Sequence, residues 1–161
     1  MRIFIAVQFS EPARKSVIDC MDSLRRQGVR GNYTRPENLH LTMAFIGETD
    51  QPEKIKTAVR GTRFEPFEIR LADFGAFRDI LWLGVTGEKR LREVSDRLRE
   101  SLTRQGISFD RKPFKAHITL VRKASMPGKP RLAPPETAMT VSRLSVMKSE
   151  RIGGKLVYTE V

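Results

Sequence analysis

The chain has 161 residues, of which 39% are hydrophobic and 30% charged, and its formal net charge is +11 at pH 7. These values are typical of one soluble globular domain, and no apolar run approaches the roughly 20 residues that span a bilayer. The excess of positive charge indicates a polyanionic partner, although a generally basic, well-solvated surface would give the same composition. Cys20 is the only cysteine, which excludes an intrachain disulfide and is typical of a cytoplasmic protein.

The first quarter of the chain predicts a strand, a helix and a second strand. The apolar segment 2–7 is interpreted as a buried strand and not as a signal peptide, because polar residues end it and no cleavage site follows. Ser10 is expected to cap a helix over 11–27, which Gly28 ends. A turn-rich segment then leads to a strand at about 38–46.

The middle of the chain predicts two helices and two strands. The helix over 88–105 has the clearest amphipathic pattern, with leucine and valine on one face and charged residues on the other. One of the strands alternates with a period of two, and the other is an apolar run typical of a buried strand. These shorter elements are a helix at 52–60 with Thr49 or Asp50 as its cap, and strands at 67–71 and 80–85.

The last third predicts strands and a long loop. A strand is expected at 114–122, and four prolines in the following segment favour an extended surface loop over 124–136. Two final strands, at 138–148 and 155–160, are expected to form a hairpin closed by Gly153 and Gly154.

Both halves therefore hold a strand, a helix and a histidine-bearing strand in roughly the same order. We interpret this order as a diverged internal duplication with pseudo-twofold symmetry. It predicts an α+β fold in which residues 1–161 form a single domain of two lobes.

The histidines are the most specific feature of the chain, because there are only two and each opens the same four-residue phrase. Histidine is the side chain that exchanges a proton near neutral pH without a special environment. Two such residues in one repeated pattern indicate a paired acid–base site. The two copies are His40-Leu41-Thr42-Met43 and His117-Ile118-Thr119-Leu120.

Residues two apart in a strand point to the same face. His40 is therefore expected beside Thr42, and His117 beside Thr119, while the apolar residues of each phrase anchor the strand from behind. If the lobes face each other, two imidazoles and two hydroxyls line one cleft. Transfer at phosphorus needs a proton removed from water on one side and a proton given to the departing oxygen on the other. A zinc site is disfavoured, because two histidines leave the metal without enough ligands.

At these residues the chain resembles the two-histidine phosphoesterases, specifically the LigT-like RNA 2′,3′-cyclic phosphodiesterases, also called 2′-5′ RNA ligases. The similar stretches are distributed over nearly the whole chain. They are MRIFIAV at 1–7, NLHLTMAFIGE at 38–48, LWLGV at 81–85, FKAHITLVR at 114–122 and SRL at 142–144.

The resemblance implies two antiparallel sheets around a central cleft, with helices outside. It implies hydrolysis of the 2′,3′-cyclic phosphate of an RNA or oligonucleotide end to a 2′-phosphate. His40 would be the proton donor to the departing 3′ oxygen, and His117 the acceptor that activates water. Thr42 and Thr119 would hold the phosphate, and Arg122 would add a positive charge. No cofactor, metal, membrane or obligate protein partner is implied, and a monomer is expected.

Some positions depart from the family's pattern or leave alternatives open. Tyr33 stands where the family often has tryptophan, and Ala116 where proline commonly precedes the second histidine. Arg122 lies an odd number of residues from His117, so a flat strand would point it away from the cleft. A bend that brings Arg122 into the cleft and a plain surface position are the two alternatives.

The aromatic residues and the reaction direction are less determined. Trp82 lies within an apolar run and is expected in the core. The alternative functions are 2′-5′ ligation, hydrolysis of another 2′-5′ or cyclic phosphodiester, and binding of RNA ends without turnover. Four phenylalanines are candidates for lining the cleft, namely Phe9, Phe45, Phe77 and Phe114.

Overall fold

The computed structural model describes all residues from 1 to 161, and it contains nine strands, three α-helices and one 3-10 turn. The strands are β1 (Arg2–Gln8), β2 (Arg30–Tyr33), β3 (His40–Glu48), β4 (Phe67–Phe77), β5 (Ile80–Val85), β6 (Ile118–Ser125), β7 (Ala138–Val141), β8 (Ser145–Ile152) and β9 (Lys155–Glu160). The helices are α1 (Glu11–Arg26), α2 (Pro52–Arg60) and α3 (Glu88–Arg104), and the 3-10 turn is Pro36–Asn38.

The strands form two antiparallel sheets, so the predicted α+β architecture is confirmed. The first sheet has the order β3-β1-β8-β9, and the second has the order β2-β6-β5-β4-β7. Helices cover one face of each sheet, and the other face is turned toward a central cleft. Helix α1 packs on β6 of the second sheet, whereas α3 packs on β3 of the first sheet and α2 packs on α3 and β8.

Helices α1 and α3 each pack on the sheet opposite to the one that contains the preceding strand. Helix α1 follows a strand of the first sheet and packs on the second, and α3 follows a strand of the second sheet and packs on the first. This reciprocal crossing is what a pseudo-twofold duplication predicts. It also joins the two halves through one cluster of 34 buried residues that receives side chains from both sheets.

Local packing follows from the sequence pattern in both histidine-bearing segments. In β3, Leu41 and Met43 are fully buried against the helices, while His40 and Thr42, which alternate with them, are only partly buried and lie on the cleft side. The predicted cap of α1 is confirmed, since the Ser10 hydroxyl accepts a hydrogen bond from the backbone N–H of Ala13 at 3.3 Å. None of the helices has the length and apolar character needed to cross a membrane.

Several predicted bounds and one predicted cap differ from the structure, and the simplest case is the strand expected at 67–71, which extends to Phe77 as β4. The expected strand 138–148 is two strands, because the chain leaves the second sheet after Val141 and enters the first at Ser145. Helix α2 is capped by neither Thr49 nor Asp50, since Gln51 occupies the cap position and makes no side-chain capping bond. The histidine strand expected at 114–122 begins only at Ile118, so that His117 lies immediately before it. The hairpin between β8 and β9 is confirmed.

Candidate active site

The two histidines come from different sheets and line the same cavity. His40 is the first residue of β3 in the first sheet, and His117 directly precedes β6 in the second. The cavity between them has a volume of about 360 Å³. Its walls also include Thr42, Thr119 and Arg122, so the structure brings all five predicted polar side chains to one place.

Each imidazole is held by the same kind of hydrogen bond. Nδ1 of His40 lies 2.7 Å from the backbone oxygen of Asn38, and Nδ1 of His117 lies 2.8 Å from the backbone oxygen of Lys115. Because a carbonyl oxygen only accepts, Nδ1 of each ring must carry the proton. In both neutral rings Nε2 is therefore the basic nitrogen, the one that can exchange a proton with a ligand in the cleft.

The surroundings of His40 are largely aromatic. Its ring centroid lies 4.8 Å from that of Phe4 and 5.3 Å from that of Tyr158. Burial lowers the pKa of His40, and the positive charges of His117 and Arg122 lower it further, against the opposite effect of the hydrogen bond to Asn38. The free site therefore favours the neutral form of this imidazole.

Thr42 and Thr119 differ in what their hydroxyls contact. The Thr42 hydroxyl lies 2.9 Å from Nε2 of His40, to which it donates when that ring is neutral. The Thr119 side chain lines the cavity, while its backbone oxygen accepts a hydrogen bond from the Thr34 hydroxyl at 2.8 Å. One hydroxyl is thus coupled to a histidine, and the other is available to an incoming ligand.

Arg122 reaches the cavity because β6 contains a β-bulge. In the ladder with β5, Trp82 pairs with Thr119 but Leu81 pairs with Val121, so Leu120 is an extra residue. Such an insertion reverses the alternation of faces beyond it. Arg122 consequently shares the face of Thr119, and of the two sequence alternatives the bend is the one observed.

Strand β2 and the residue after it pair with the other edge of β6. The backbone N–H of Thr34 donates to the carbonyl of Leu120, the extra residue of the bulge, at 2.9 Å, which continues the pairing of β2 with β6. The β2–β6 ladder has a register shift of its own between Arg30 and Asn32, where Gly31 comes so close to β6 that a Cβ there would lie 2.8 Å from the carbonyl oxygen of Arg122. The absence of a side chain at position 31 lets the two strands approach each other.

Asn38 is a positioning residue that the sequence reasoning did not single out. It is 6% exposed, and its side-chain amide donates to the backbone oxygen of Leu156 in β9 at 2.9 Å. Since its carbonyl accepts from His40, the 3-10 turn, the histidine and β9 are held together. The signal available in the sequence was a polar residue two positions before the histidine, which also describes Lys115.

The cleft continues beyond the histidines over the first sheet. This second chamber has a volume of about 550 Å³ and shares His40, Thr42 and Arg122 with the first. Phe45 is the only one of the four candidate phenylalanines that lines either chamber. Phe9 is buried, Phe114 packs on the core, and Phe77 is exposed at the β4–β5 hairpin. Three other cations also line the two chambers, namely Arg2, Arg35 and Arg151.

Two antiparallel sheets that bring one histidine each to a shared cleft are the arrangement that the resemblance to the two-histidine phosphoesterases implies. The departures at Tyr33 and Ala116 leave this arrangement intact, since Tyr33 lines the cavity and Ala116 is buried. The family model of the 2′-5′ RNA ligase superfamily matches residues 10–153. The chain belongs to that superfamily.

Curated relatives and solved structures agree with this membership. An RNA 2′,3′-cyclic phosphodiesterase of Thermotoga maritima is 34% identical over 140 residues, covering 80% of this chain and 73% of the relative. TT0787 of Thermus thermophilus matches with a TM-score of 0.83 at 28% identity, covering 100% of this chain and 95% of the other. Apo LigT of E. coli matches with a TM-score of 0.82 at 28% identity, covering 99% and 94%. Structures of LigT with 3′-AMP and with phosphate match as well.

Proposed function

We propose that this protein hydrolyses the 2′,3′-cyclic phosphate at RNA ends to a 2′-phosphomonoester, with His40 and His117 as its acid–base pair and without a metal ion. The observation that carries the proposal is the pair of imidazoles, one from each sheet. Both are fixed through Nδ1 and both line one cavity. Two proton carriers on opposite walls are what an in-line displacement at phosphorus requires.

The proposed step is balanced in protons. Nε2 of His117 removes a proton from water, the water oxygen forms a bond to phosphorus, and the bond from phosphorus to the 3′ oxygen breaks. His40 gives its proton to that departing oxygen. The products are a 2′-phosphate and a free 3′ hydroxyl, and the histidines exchange their protonation states. The assignment of donor and acceptor follows the resemblance to the family.

The remaining cleft residues supply binding and charge stabilisation. The hydroxyls of Thr42 and Thr119 donate to the non-bridging oxygens, and the Arg122 guanidinium offsets their negative charge. Donors that are already positioned where charge builds up are typically the largest electrostatic contribution to catalysis. Arg122 is held in place by the bulge in β6, so its contribution depends on the backbone of that strand.

The comparisons support this choice of substrate. The Thermotoga maritima relative is an RNA 2′,3′-cyclic phosphodiesterase, and LigT binds 3′-AMP and phosphate. A net charge of +11 favours a polyanion such as RNA. We further propose that residues 1–161 act as one domain and as a monomer, because the two sheets of one chain together bring both histidines and both threonines to the cleft. The cytoplasmic location stays a prediction.

The test uses an oligonucleotide that ends in a 2′,3′-cyclic phosphate, incubated with the pure protein in excess EDTA. We expect turnover to a 2′-phosphate, and a loss of about 10²- to 10⁴-fold in kcat for His40→Ala and for His117→Ala. Lys54→Ala, a charge change on the outer face of α2, is the control and should retain full turnover. Inactivation by EDTA, or full activity of either histidine variant, would contradict the proposal.

The same experiment separates the alternative functions. Salt-dependent binding without any product would indicate a module that recognises RNA ends. Faster cleavage of a 2′-5′-linked dinucleotide than of the cyclic end, or its formation from a cyclic end and a 5′ hydroxyl, would indicate a different reaction at this site. A 3′-phosphate product would show that the other ester bond is broken.

A further inference from the structure

Trp82 lies on the cleft face of the second sheet and not in the core, where its apolar neighbours predict it. It pairs with Thr119 on one side and with Gly75 on the other. Side chains that are opposite each other in a ladder share a face, and Thr119 lines the catalytic cavity. Trp82 is half-buried and is absent from both clusters of buried apolar residues. Its indole therefore belongs to the surface beside the site.

The Trp82 indole packs directly on Gly75 of β4, where a larger residue would clash with the ring. A Cβ at Gly75 would lie 2.3 Å from Cζ2 and 2.5 Å from Cη2 of Trp82, so the ring covers the bare backbone of β4. Gly84, two residues along β5, leaves ordinary contact distance, with its Cβ position 3.5 Å from Cζ3. The Trp82 ring therefore packs against the backbone of the sheet. This position is not explained by packing in the core, because Trp82 does not belong to a buried apolar cluster.

A cation also lies near the indole ring of Trp82. Nζ of Lys115 is 5.7 Å from the centroid of the indole, near the outer limit of a cation–π contact. The Lys115 side chain is exposed, so a planar ligand can displace it from the ring at little cost. Lys115 is also two residues before His117, and its carbonyl holds that imidazole. The displaced ammonium thus remains close to any phosphate that approaches the cleft.

The distance from the catalytic cleft suits the neighbouring nucleotide. Thr119 and Trp82 have Cβ atoms about 4.5–5.5 Å apart, as in any directly opposed pair. The indole extends from β5 over β4, so it lies between one and two strand spacings from β6, about 5–10 Å. An RNA chain whose terminal phosphate touches Thr119 would bring the base of its penultimate nucleotide over the Trp82 ring.

We propose that Trp82, seated on Gly75 and flanked by Lys115, stacks the base of the penultimate nucleotide of the RNA while Lys115 binds the phosphate between the last two nucleotides. The inference rests on the proposed function and deepens it, since it makes an RNA of at least two nucleotides the preferred substrate over a nucleoside cyclic phosphate. Stacking of a base on an aromatic side chain is insensitive to sequence and typically contributes about 5- to 150-fold in affinity.

The kinetic test compares a trinucleotide that ends in a 2′,3′-cyclic phosphate with the nucleoside cyclic phosphate of the same terminal base. In Trp82→Ala we expect kcat/KM for the trinucleotide to fall about 5- to 150-fold, so that the ratio between the two substrates approaches one. Trp82→Phe should restore most of the ratio. Gly75→Ala should lower the ratio as Trp82→Ala does, because it removes the seat of the ring. Equal losses for both substrates, or no loss, would overturn the proposal.

Lys115→Ala and Lys54→Ala form a matched pair for the charge. We expect Lys115→Ala to weaken the trinucleotide's binding and to lower the salt dependence of its KM, whereas Lys54→Ala, on the outer face of α2, changes neither. Identical behaviour of the two lysine variants would remove Lys115 from the subsite.

A binding measurement tests base stacking on Trp82 separately from catalysis. Trp82 is the only tryptophan of the chain, so intrinsic fluorescence reports on this residue alone. In the His117→Ala variant, which prevents turnover, the trinucleotide should quench the emission and the nucleoside cyclic phosphate should change it little. Quenching without hydrolysis by the unmodified protein would contradict the proposed function and retain the subsite. Hydrolysis without quenching would do the reverse.

Discussion

The two histidine half-sites share one sequence phrase and one anchoring bond, but they lie in different surroundings. His40 is half-buried between Phe4 and Tyr158, and its Nε2 forms a hydrogen bond with the Thr42 hydroxyl. His117 is exposed at the start of β6, beside the Thr119 side chain. The first half-site is therefore closed and preorganised, while the second is open to water.

This difference fits the proposed division of one reaction between two proton carriers. An exposed imidazole has access to water, as the activation of a water molecule requires. A shielded imidazole with a neighbouring hydroxyl is suited to one defined oxygen of the substrate. The shared bond from Nδ1 to a carbonyl keeps Nε2 as the reactive nitrogen in both halves.

After the loss expected for the histidine variants, the largest expected effect concerns Arg122, the cation of the second half-site that lines both chambers. Arg122→Ala should lower kcat by about 10²- to 10³-fold, because it removes a charge positioned where the phosphate accumulates negative charge. Steady-state kinetics on the cyclic-phosphate oligonucleotide measure this loss. Lys123→Ala on the same strand is the control, and equal effects of the two changes would show that Arg122 has no specific role.

The two threonines offer a direct comparison of the half-sites. Thr42→Val and Thr119→Val should each lower kcat/KM by about 10- to 150-fold, the usual contribution of a hydrogen bond to a charged group. Serine at either position should restore most of the activity, because it keeps the hydroxyl. A valine variant with unchanged kinetics would exclude that hydroxyl from phosphate binding.

The smallest expected effect is a change in the pKa of His40 when an anion binds. Burial and the charges of His117 and Arg122 lower the pKa of His40 in the free protein, and a bound anion should raise it again. Sulfate is a suitable probe, because its own charge does not titrate near neutral pH. NMR resolves the two histidines of the chain, and His40→Ala identifies the signal that is lost.

The sign of the linkage follows from that shift. Between the lower pKa of the free protein and the higher pKa of the complex, His40 takes up a proton on binding. Sulfate affinity should therefore rise as the pH falls through this interval and level off below it. An unchanged or lowered pKa of His40 in the sulfate complex would contradict the electrostatic account of this half-site.

The sequence predicts the parts of the fold and site that depend on local alternation. In the phrase around His40, the residues at 40 and 42 share a face because a strand alternates with a period of two. The same rule fails at Arg122, because Leu120 before it is an extra residue in the pairing with β5, a strand that is distant in sequence. The aromatic environment of His40 likewise comes from β1 and β9 and carries no local signal.

Two other errors have physical causes that a single sequence conceals. The chain changes sheets at residues 142–144, a Ser-Arg-Leu segment without the glycine or proline that usually marks a turn, so one long strand was expected. Trp82 sits in an apolar run that is typical of a strand buried on both faces. The structure buries one face of β5 and turns the other toward the cleft, and the pattern alone does not distinguish these cases.

The division of roles between the half-sites is tested most directly by a substrate whose departing 3′ oxygen is replaced by sulfur. A thiolate leaves without being protonated, so a missing proton donor costs little with this substrate. We predict that His40→Ala, inactive on the oxygen substrate, recovers most of the loss on the sulfur substrate, whereas His117→Ala remains inactive on both. Rescue of His117→Ala instead, or rescue of neither variant, would contradict the assignment of His40 as the proton donor.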